Sequence, residues 1–205
     1  YFSANQFLRY SGNLIINRAI PSGVVATGDS ALNASNNSNP GTTIQVKNEA
    51  DWEAQYETIT NSFTAKYPGK MGNTLSVSLF AASGSGRDSA RAVDSDFLTW
   101  DYNERFDNSP GTSNWVLNQP GTNNNDEIHI AVIDSDGVIS GTKGTVLETF
   151  PYVSVAKGAK TTDGGDNYVK TVINNSSNYV WFQKWDDNKL PNGTNWASAP
   201  DGTSY

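Results

Sequence analysis

The segment LSVSL, Leu75–Leu79, constrains the fold most, because apolar and hydroxyl side chains alternate along it. Successive side chains of a strand point to opposite faces of a sheet, so the leucines and the valine share one face and the serines share the other. A strand with one apolar face has to be buried against other elements. The sequence therefore predicts a sheet packed over a core, with this segment as its clearest strand.

Other short runs extend the same pattern. Alternating or continuous apolar residues predict further strands at residues 13–20, 42–47, 63–67, 128–134, 144–155 and 178–185. Hydrophobic residues make up 36% of the chain and charged residues 17%, so the low apolar content is not accompanied by the high charge of a disordered chain. Asn, Ser, Thr and Gly supply the remainder, and this composition favours strands joined by polar loops.

Two segments change to the spacing of amphipathic helices. One follows Asn48 and the other follows Asp166, and each of these residues is a candidate N-cap. The predicted apolar stripes are Trp52, Tyr56 and Ile59 in the first helix, and Tyr168, Val169, Val172 and Ile173 in the second. The aromatic-rich segment 97–107 fits a strand or a helix. We therefore predict an α+β fold: a mixed, largely antiparallel β-sheet flanked by a few short helices, with long polar loops.

Polar segments predict the connections. Residues 22–41 and 108–127 are rich in Asn, Gly and Ser and are predicted as loops, the first of them exposed and mobile. The run IHIAVIDSDGVIS predicts a hairpin with a strand at 128–134, a turn containing Asp136-Gly137 and a return strand directly after it.

The domain organisation follows from these elements. We expect residues 1–12 to be the end of a helix from an adjoining domain, residues 13–182 to form the α+β domain, and residues 183–205 to form an irregular exit segment. Because the chain begins at Tyr1 without a methionine, we expect it to be a piece of a longer polypeptide.

Charge and composition exclude several classes. The chain carries 14 basic and 21 acidic residues, a net charge of -7, so we expect no nucleic-acid partner. No apolar run approaches the roughly 18–20 residues that a membrane-spanning helix needs, so we expect no membrane insertion. The absence of cysteine excludes disulfides, thiolate nucleophiles and zinc held by cysteine.

The glycines around Lys70 raise the question of a phosphate loop. Such a loop needs G-x-x-x-x-G-K-[ST] between a strand and a helix, whereas here no Ser or Thr follows the lysine and the next element is a strand. Turn chemistry accounts for these residues better. The residues that we single out as a structural turn motif are Tyr67, Pro68, Gly69, Gly72 and Asn73.

Other candidate sites are weak. His129, the single histidine, alternates with two isoleucines and is predicted as a cross-strand partner rather than a general base, since no G-x-S-x-G elbow is present. DSDG at 134–137 begins like a calcium loop but lacks the closing glutamate. Acidic pairs at 94/96, 126/127, 134/136 and 186/187 leave a hydrolase as the last-ranked alternative. We therefore predict no catalytic, cofactor-binding or metal-binding residue, no cofactor, and no enzymatic activity.

Aromatic residues support a second alternative, an extracellular carbohydrate-binding β-rich module. Tryptophans in or beside predicted loops would stack on sugar rings, unless they pack a core or an interface instead. The four tryptophans concerned are Trp115, Trp181, Trp185 and Trp196.

Four segments in order resemble the sheath protein of contractile-tailed bacteriophages of the T-even and cyanophage kind. YFSANQFLRYSGNLIINRAI resembles that family's aromatic helix and its following G-[ND]-x-L-x-x-x-R-A strand. AKYPGKMGNTLSVSL resembles its Y-P-G-x-x-G-[ND]-x-[LI]-x-[VI] motif, which contains the five turn residues named above. NNNDEIHIAVIDSDGVISGTKGTVLETFPYVSV resembles the family's next hairpin, and the later helix and the NYVW strand appear in order. The similarity extends from Tyr1 to about Trp181.

This resemblance implies the middle, protease-resistant portion of a sheath subunit, on the outer side of the tube. The small outer domain that many relatives insert before the motif is absent or reduced. The implied partners are other sheath subunits and, through regions outside this chain, the tail tube. The implied location is the virion, after assembly in the host cytoplasm. Because the polymerising arms lie outside this chain, we expect it to be monomeric or weakly associating by itself.

Overall fold

The structure, a computed structural model, describes residues 6–10, 12, 14, 34–36, 39–55, 58–59, 62–81, 95–119, 126–183 and 203–204. The strands in this part are β1 (Ala34–Asn36), β2 (Asn39–Ile44), β3 (Phe63–Ala65), β4 (Leu75–Ala81), β5 (Glu127–Asp134), β6 (Thr145–Ser154), β7 (Val180–Phe182) and β8 (Thr203–Ser204). The helices are α1 (Glu49–Gln55), α2 (Lys70–Asn73), α3 (Ser95–Thr99), α4 (Asn114–Leu117) and α5 (Val169–Ser176), with a 3-10 turn at Asn103–Arg105.

The strands form three antiparallel sheets. The largest has the order β6-β5-β4-β8, while β3 pairs with β7 and β1 pairs with β2. Short helices connect and flank these sheets. The predicted α+β class, with a largely antiparallel sheet and a few short helices, is confirmed.

Strand β4 forms where the alternation predicts it, but it is buried on both faces. Val77 and Leu79 are 3% and 0% exposed and pack into the main core. On the other face Ser78 is only 1% exposed, and its hydroxyl accepts a hydrogen bond from Trp100 Nε1 at 2.9 Å. The serine face therefore contacts a second layer of protein, and the tryptophan supplies the polar partner that a buried hydroxyl requires.

The main core lies between one face of the large sheet, helix α5 and the β3–β7 pair. Its buried members are Phe63, Val77, Leu79, Ala81, Ile128, Ile130, Val132, Phe150, Val153, Val169, Ile173, Val180 and Phe182. The predicted stripe of α5 is confirmed, because Val169 and Ile173 are fully buried in this core and Tyr168 and Val172 pack against it. Asp166 does not cap that helix: the N-cap position is Tyr168, and the Asp166 carboxylate pairs with Lys160 instead.

The opposite face of the sheet carries an aromatic cluster. Its buried members are Phe80, Phe97, Trp100, Phe106, Ala131 and Ile133. The segment 97–107, which fitted a strand or a helix, is helical in α3 and in the 3-10 turn. Burial on both faces explains why β5 reads as a nearly continuous apolar run.

The β5–β6 hairpin differs from its prediction in its turn. The return strand does not follow Asp136-Gly137 directly; residues 135–144 form a ten-residue loop, and the pairing resumes at Thr145 opposite Asp134. Backbone N–H groups within this loop bind the Asp134 side chain instead of a neighbouring strand. The extended segment predicted at 144–155 is confirmed as β6.

The N-terminal part is described in pieces. Asn48 caps α1 as predicted, since its Oδ1 accepts from Asp51 N at 2.9 Å, and Trp52 is buried. Part of the predicted loop 22–41 is not a loop, because β1 and β2 pair there. Nearly all of the predicted strand 13–20 lies outside the described residues, as does Tyr56.

Both ends of the chain are described in part. Residues 6–10 form an exposed helical turn, and the rest of segment 2–10 lies outside the described residues. Within the predicted exit segment 183–205, Thr203 and Ser204 pair with Leu79 and Ser78 on β4.

Candidate functional site

The five motif residues form one compact turn before β4. Gly69 has φ +91°, which a glycine adopts without strain, and its carbonyl accepts from Gly72 N and Asn73 N, both at 2.9 Å. A phosphate loop would direct its N–H groups at a ligand, whereas these two N–H groups are used within the turn.

Gly72 is required in this turn by close packing rather than by its backbone conformation. A Cβ on this residue would lie 2.2 Å from Tyr67 O and 3.0 Å from the Ala65 Cβ, and its φ is not in the left-handed region. The positive-φ glycine of the motif is Gly69. The turn thereby brings Thr74, at its end, against Asp134 on the neighbouring strand.

Asp134 is the first of three buried polar side chains, on β5 or directly before it, that each bind several hydrogen-bond partners and are called polar nodes below. Its Oδ1 accepts from the Thr74 hydroxyl at 2.5 Å and from Val138 N at 3.1 Å. Its Oδ2 accepts from Ile139 N at 2.9 Å, and from the N–H and hydroxyl of Ser140 at 2.7 and 2.8 Å. The loop after β5 therefore wraps around this carboxylate.

Hydrogen bonding decides the charge state of this carboxyl. Burial alone would raise the pKa of Asp134, but the bonds from Ser140 N, the Thr74 and Ser140 hydroxyls and Ile139 N outweigh burial and hold it well below its usual range. The DSDG segment consequently presents donors to its first aspartate, which is the opposite of what a cation site needs. Among the described residues, no group of three or more His, Asp or Glu side chains is placed to hold a metal ion.

Asp126 is the second node, directly before β5. It is fully buried, and it accepts from Ser113 N and from the Ser113 hydroxyl, both at 2.7 Å, and from the Ser154 hydroxyl. The neighbouring Glu127 accepts from Gly111 N at 2.9 Å. These two acids are thus each engaged with a different backbone group of the 111–113 segment. Asp94, Asp186 and Asp187 lie outside the described residues.

His129 is the third node. It lies on the aromatic face of β5, fully buried, with its ring stacked on Phe106 at 4.3 Å between centroids. Its Nε2 bonds to Asn108 O at 2.7 Å, and its Nδ1 accepts from Tyr152 N at 3.1 Å. The predicted cross-strand role is confirmed, since Tyr152 lies on the adjacent strand β6.

A fourth polar group, centred on Glu148, was not predicted from the sequence. The Glu148 carboxylate on β6 accepts from the Ser177 hydroxyl at 2.7 Å and from Asn178 N at 2.8 Å. Lys66 Nζ donates to Ser177 O at 2.5 Å and lies 3.8 Å from the centroid of the Trp181 ring. Burial lowers the pKa of Lys66, with Glu148 and Glu49 acting in the opposite direction. The residues come from distant segments, so no local motif reveals the group.

The tryptophans considered for sugar binding do not form an exposed platform in the described part of the chain. Trp181 is 8% exposed and stacks on Trp52 at 5.0 Å, which is the core role that the sequence left open. Trp115 is partly buried and packs against the small cluster formed by Val116, Ala156 and Ala159. Trp185 and Trp196 lie outside the described residues.

Comparison with known proteins adds no assignment. No protein-family model matches the sequence, and the search of curated proteins gave no match either. Within the residues described above, no helix is both long enough and apolar enough to cross a membrane.

Proposed function

We propose that this chain is a structural part of the contractile tail sheath of a bacteriophage, which polymerises as a helical tube around the tail tube and contracts to drive that tube into the host. The observation that carries the proposal is that the second, third and fourth segments resembling the sheath family pack together, while most of the first, residues 1–20, lies outside the described residues. The turn motif starts β4, β4 pairs with β5, and β5 pairs with β6. Helix α5 and strand β7, the later segments of the resemblance, complete the same core.

The chemistry of the described residues supports a mechanical role rather than catalysis. Asp126, His129 and Glu148 each bind backbone groups of segments that are distant in sequence. Asp134 joins its own loop to the Thr74 hydroxyl. Buried polar groups satisfied in this way specify one arrangement of the chain. A subunit that transmits force needs such rigidity, and it needs no cofactor.

Contraction itself would be a property of the lattice. Subunits held in an extended, metastable arrangement move to a contracted one when the difference in interface energy is released. The partners are therefore other sheath subunits and, through regions outside this chain, the tail tube. The proposed location is the virion.

Assembly of the gene product that carries this sequence tests the proposal. Electron microscopy of that product, purified at high concentration, is expected to show tubes or rings with helical or rotational order. A product that stays dispersed, with no tubes or rings under any assembly condition, contradicts the proposal. For residues 1–205 alone we expect a monomer or weak association, and a tight, concentration-independent oligomer in size-exclusion chromatography would argue against that part of the proposal.

The carbohydrate-binding alternative predicts a different result. Titration with soluble polysaccharides would then change tryptophan fluorescence, and a glycan array would give specific signals. Because Trp181 is buried, we expect no such response from it. Silence in both assays removes the alternative, and saturable binding with a defined glycan preference would favour it over the sheath proposal.

A further inference from the structure

The His129 ring joins two parts of the molecule through its two nitrogens. A backbone N–H can only donate, so the Nδ1 that receives Tyr152 N at 3.1 Å carries no proton. The proton of the neutral ring therefore resides on Nε2, which donates to Asn108 O at 2.7 Å. This one tautomer therefore makes a hydrogen bond to strand β6 on one side and to the segment that contains Asn108 on the other.

The strand side of this contact is strained. The pairing of β5 with β6 passes from Ile128↔Val153 to Ile130↔Phe150, so His129 faces a bulge of two residues, Pro151 and Tyr152. Tyr152 has φ +53°, the only non-glycine residue of the described part with a positive φ. A bulky residue persists in that conformation only where its surroundings hold it.

Three further contacts fix the same residue. The Tyr152 ring meets the His129 ring edge-on at 4.6 Å, and its hydroxyl donates to Asn108 O at 3.3 Å. The carbonyl of Tyr152 accepts from Asn167 Nδ2 at 3.0 Å. Of the contacts that hold the strained Tyr152 backbone, only the bond to Nδ1 depends on a protonation state in the range near neutral pH.

We propose that His129 is a proton-sensitive latch, which holds the Pro151–Tyr152 bulge against the Asn108 segment only while its imidazole is neutral. A proton on Nδ1 would place two donors against each other across a 3.1 Å contact, so either the ring or the Tyr152 backbone has to move. The move frees Tyr152 from its positive φ, and it loosens the attachment of the Asn108 segment.

Each element that packs against the ring carries ionisable groups of its own, including Asp96 on α3, the helix that supplies Phe97. On β6 the titratable groups are Glu148, whose carboxylate accepts from the Ser177 hydroxyl and from Asn178 N, and the Tyr152 phenol, which does not ionise in the acidic range. On the segment that contains the 3-10 turn, Asp101, Glu104, Arg105 and Asp107 are all exposed to solvent. Glu127 on β5 is bound to Gly111 N. The packing faces of the ring are aromatic, supplied by Phe106, Phe97 and Tyr152.

The direction of the effect follows from proton binding. The unfolded or opened chain takes up a proton on its imidazole as the pH falls below about 6.5, whereas the latched form excludes it. Acid therefore favours the opened form, and stability rises with pH across this range. Between pH 7.5 and 5.5 we expect the Tm to fall by about 3 to 6 °C from this group alone.

Two measurements on the full chain test the latch. Because His129 is the only histidine, its 15N resonances need no further assignment. At pH 7.5 they should show a single Nε2–H tautomer. Hydrogen exchange at the same pH values, corrected for its intrinsic pH dependence, should reveal acid-induced opening of peptides covering 150–154 and 106–110. Peptides covering the 135–144 loop should stay protected, because the pKa of Asp134 lies well below its usual range.

His129→Gln is the matched variant, since a glutamine offers one acceptor and one donor that do not titrate. Its Tm should be nearly flat between pH 7.5 and 5.5, whatever its absolute stability. Equal pH slopes for the two proteins would overturn the latch. So would a wild-type histidine that takes a proton while the 150–154 peptides stay protected. If the variant does not fold, the wild-type resonances and exchange data decide the matter alone.

Discussion

A buried aspartate lies directly before the start of β5 and another at its end, and the two carboxylates bind the chain in different ways. At the far end, Asp134 takes most of its donors from residues 138–140, within six positions along the chain. At the near end, Asp126 takes donors from Ser113 and Ser154, which are 13 and 28 positions away. The first carboxylate shapes a loop, while the second joins segments that are distant in sequence.

From this difference we expect the segment around Asp134 to open locally, whereas the contacts of Asp126 should be lost only when the domain unfolds as a whole. Losing the Asp134 bonds releases a ten-residue loop whose flanking strands stay paired. Losing the Asp126 side-chain bonds weakens the contacts among α4, the start of β5 and the end of β6 at the same time. Long-range contacts of this kind contribute to the cooperative unit, and local ones belong to smaller opening units.

The largest effect is expected from Asp126→Ala. Three buried donors lose their acceptor, so we expect the free energy of unfolding to fall by about 3 to 5 kcal/mol. Chemical denaturation with urea measures this. The matched control is Asp107→Ala, an exposed acid, with an expected change within about 0.5 kcal/mol. Similar losses of unfolding free energy in both variants would contradict the claim that the Asp126 hydrogen bonds hold distant segments in one cooperative unit.

A smaller effect is expected from Gly72→Ala. This substitution acts on Thr74, the one donor to Asp134 that is distant in sequence. The new Cβ would lie 2.2 Å from Tyr67 O, so the turn has to shift and Thr74 moves relative to Asp134. We expect a loss of about 2 to 3 kcal/mol, measured by thermal or urea denaturation. Gly12→Ala is the control, since nothing lies within 4 Å of a Cβ there. Equal stability of the two variants would contradict the close packing of the motif.

The Asp134 end should also resist acid. Since the pKa of this carboxyl is held below its usual range, its contribution to stability is complete above about pH 4 and is lost only as the pH falls further. Hydrogen exchange of residues 135–144 should therefore be unchanged between pH 7 and 5 and should rise below pH 4. In Asp134→Asn the same loop should exchange quickly at every pH. A loop that opens already at pH 5 in the wild type would contradict the assignment.

The smallest losses of stability are expected from variants that remove a single hydrogen-bond donor from Asp126 or from Asp134. Ser113→Ala removes a bond to Asp126 and the side-chain cap of α4, and we expect a loss of about 2 kcal/mol. Ser140→Ala removes one exposed hydroxyl from Asp134, and we expect about 1 kcal/mol or less. Urea denaturation of the two variants shows which aspartate's hydrogen bonds contribute more to the free energy of unfolding. The reverse order would mean that the local loop, not the long-range joint, dominates stability.

Elements with a clear local period were predictable from the sequence. Strand β4 and helix α5 have their apolar residues at the spacing of their structure, and in α5 burial follows that spacing, whereas β4 is buried on both faces. The motif turn was predictable for a similar reason, because Pro68-Gly69 has turn chemistry of its own. The role of Gly72 was not, since the group that it must avoid, Tyr67 O, is placed only by the folded turn.

Features that depend on distant partners could not be predicted in this way. The return strand of the hairpin starts later than expected because Asp134 binds the N–H groups of residues 138–140. The cap assigned to Asp166 was wrong because the helix begins only at Val169, with Tyr168 at its N-cap position, and the Asp166 carboxylate pairs with Lys160. The Glu148 group combines residues from β6, from the position directly after β3 and from the end of α5, and no pattern in any one segment indicates it.

Antibody labelling of virus particles tests the proposed function most directly. Antibodies raised against residues 1–205 would be applied to virions produced from the genome that encodes this sequence, and the gold particles would be counted along the particle by electron microscopy. We predict dense, periodic labelling along the outside of an extended contractile tail, with closer spacing after contraction. Labelling confined to the capsid, the baseplate or the fibres, or particles without a contractile tail, would contradict the sheath assignment.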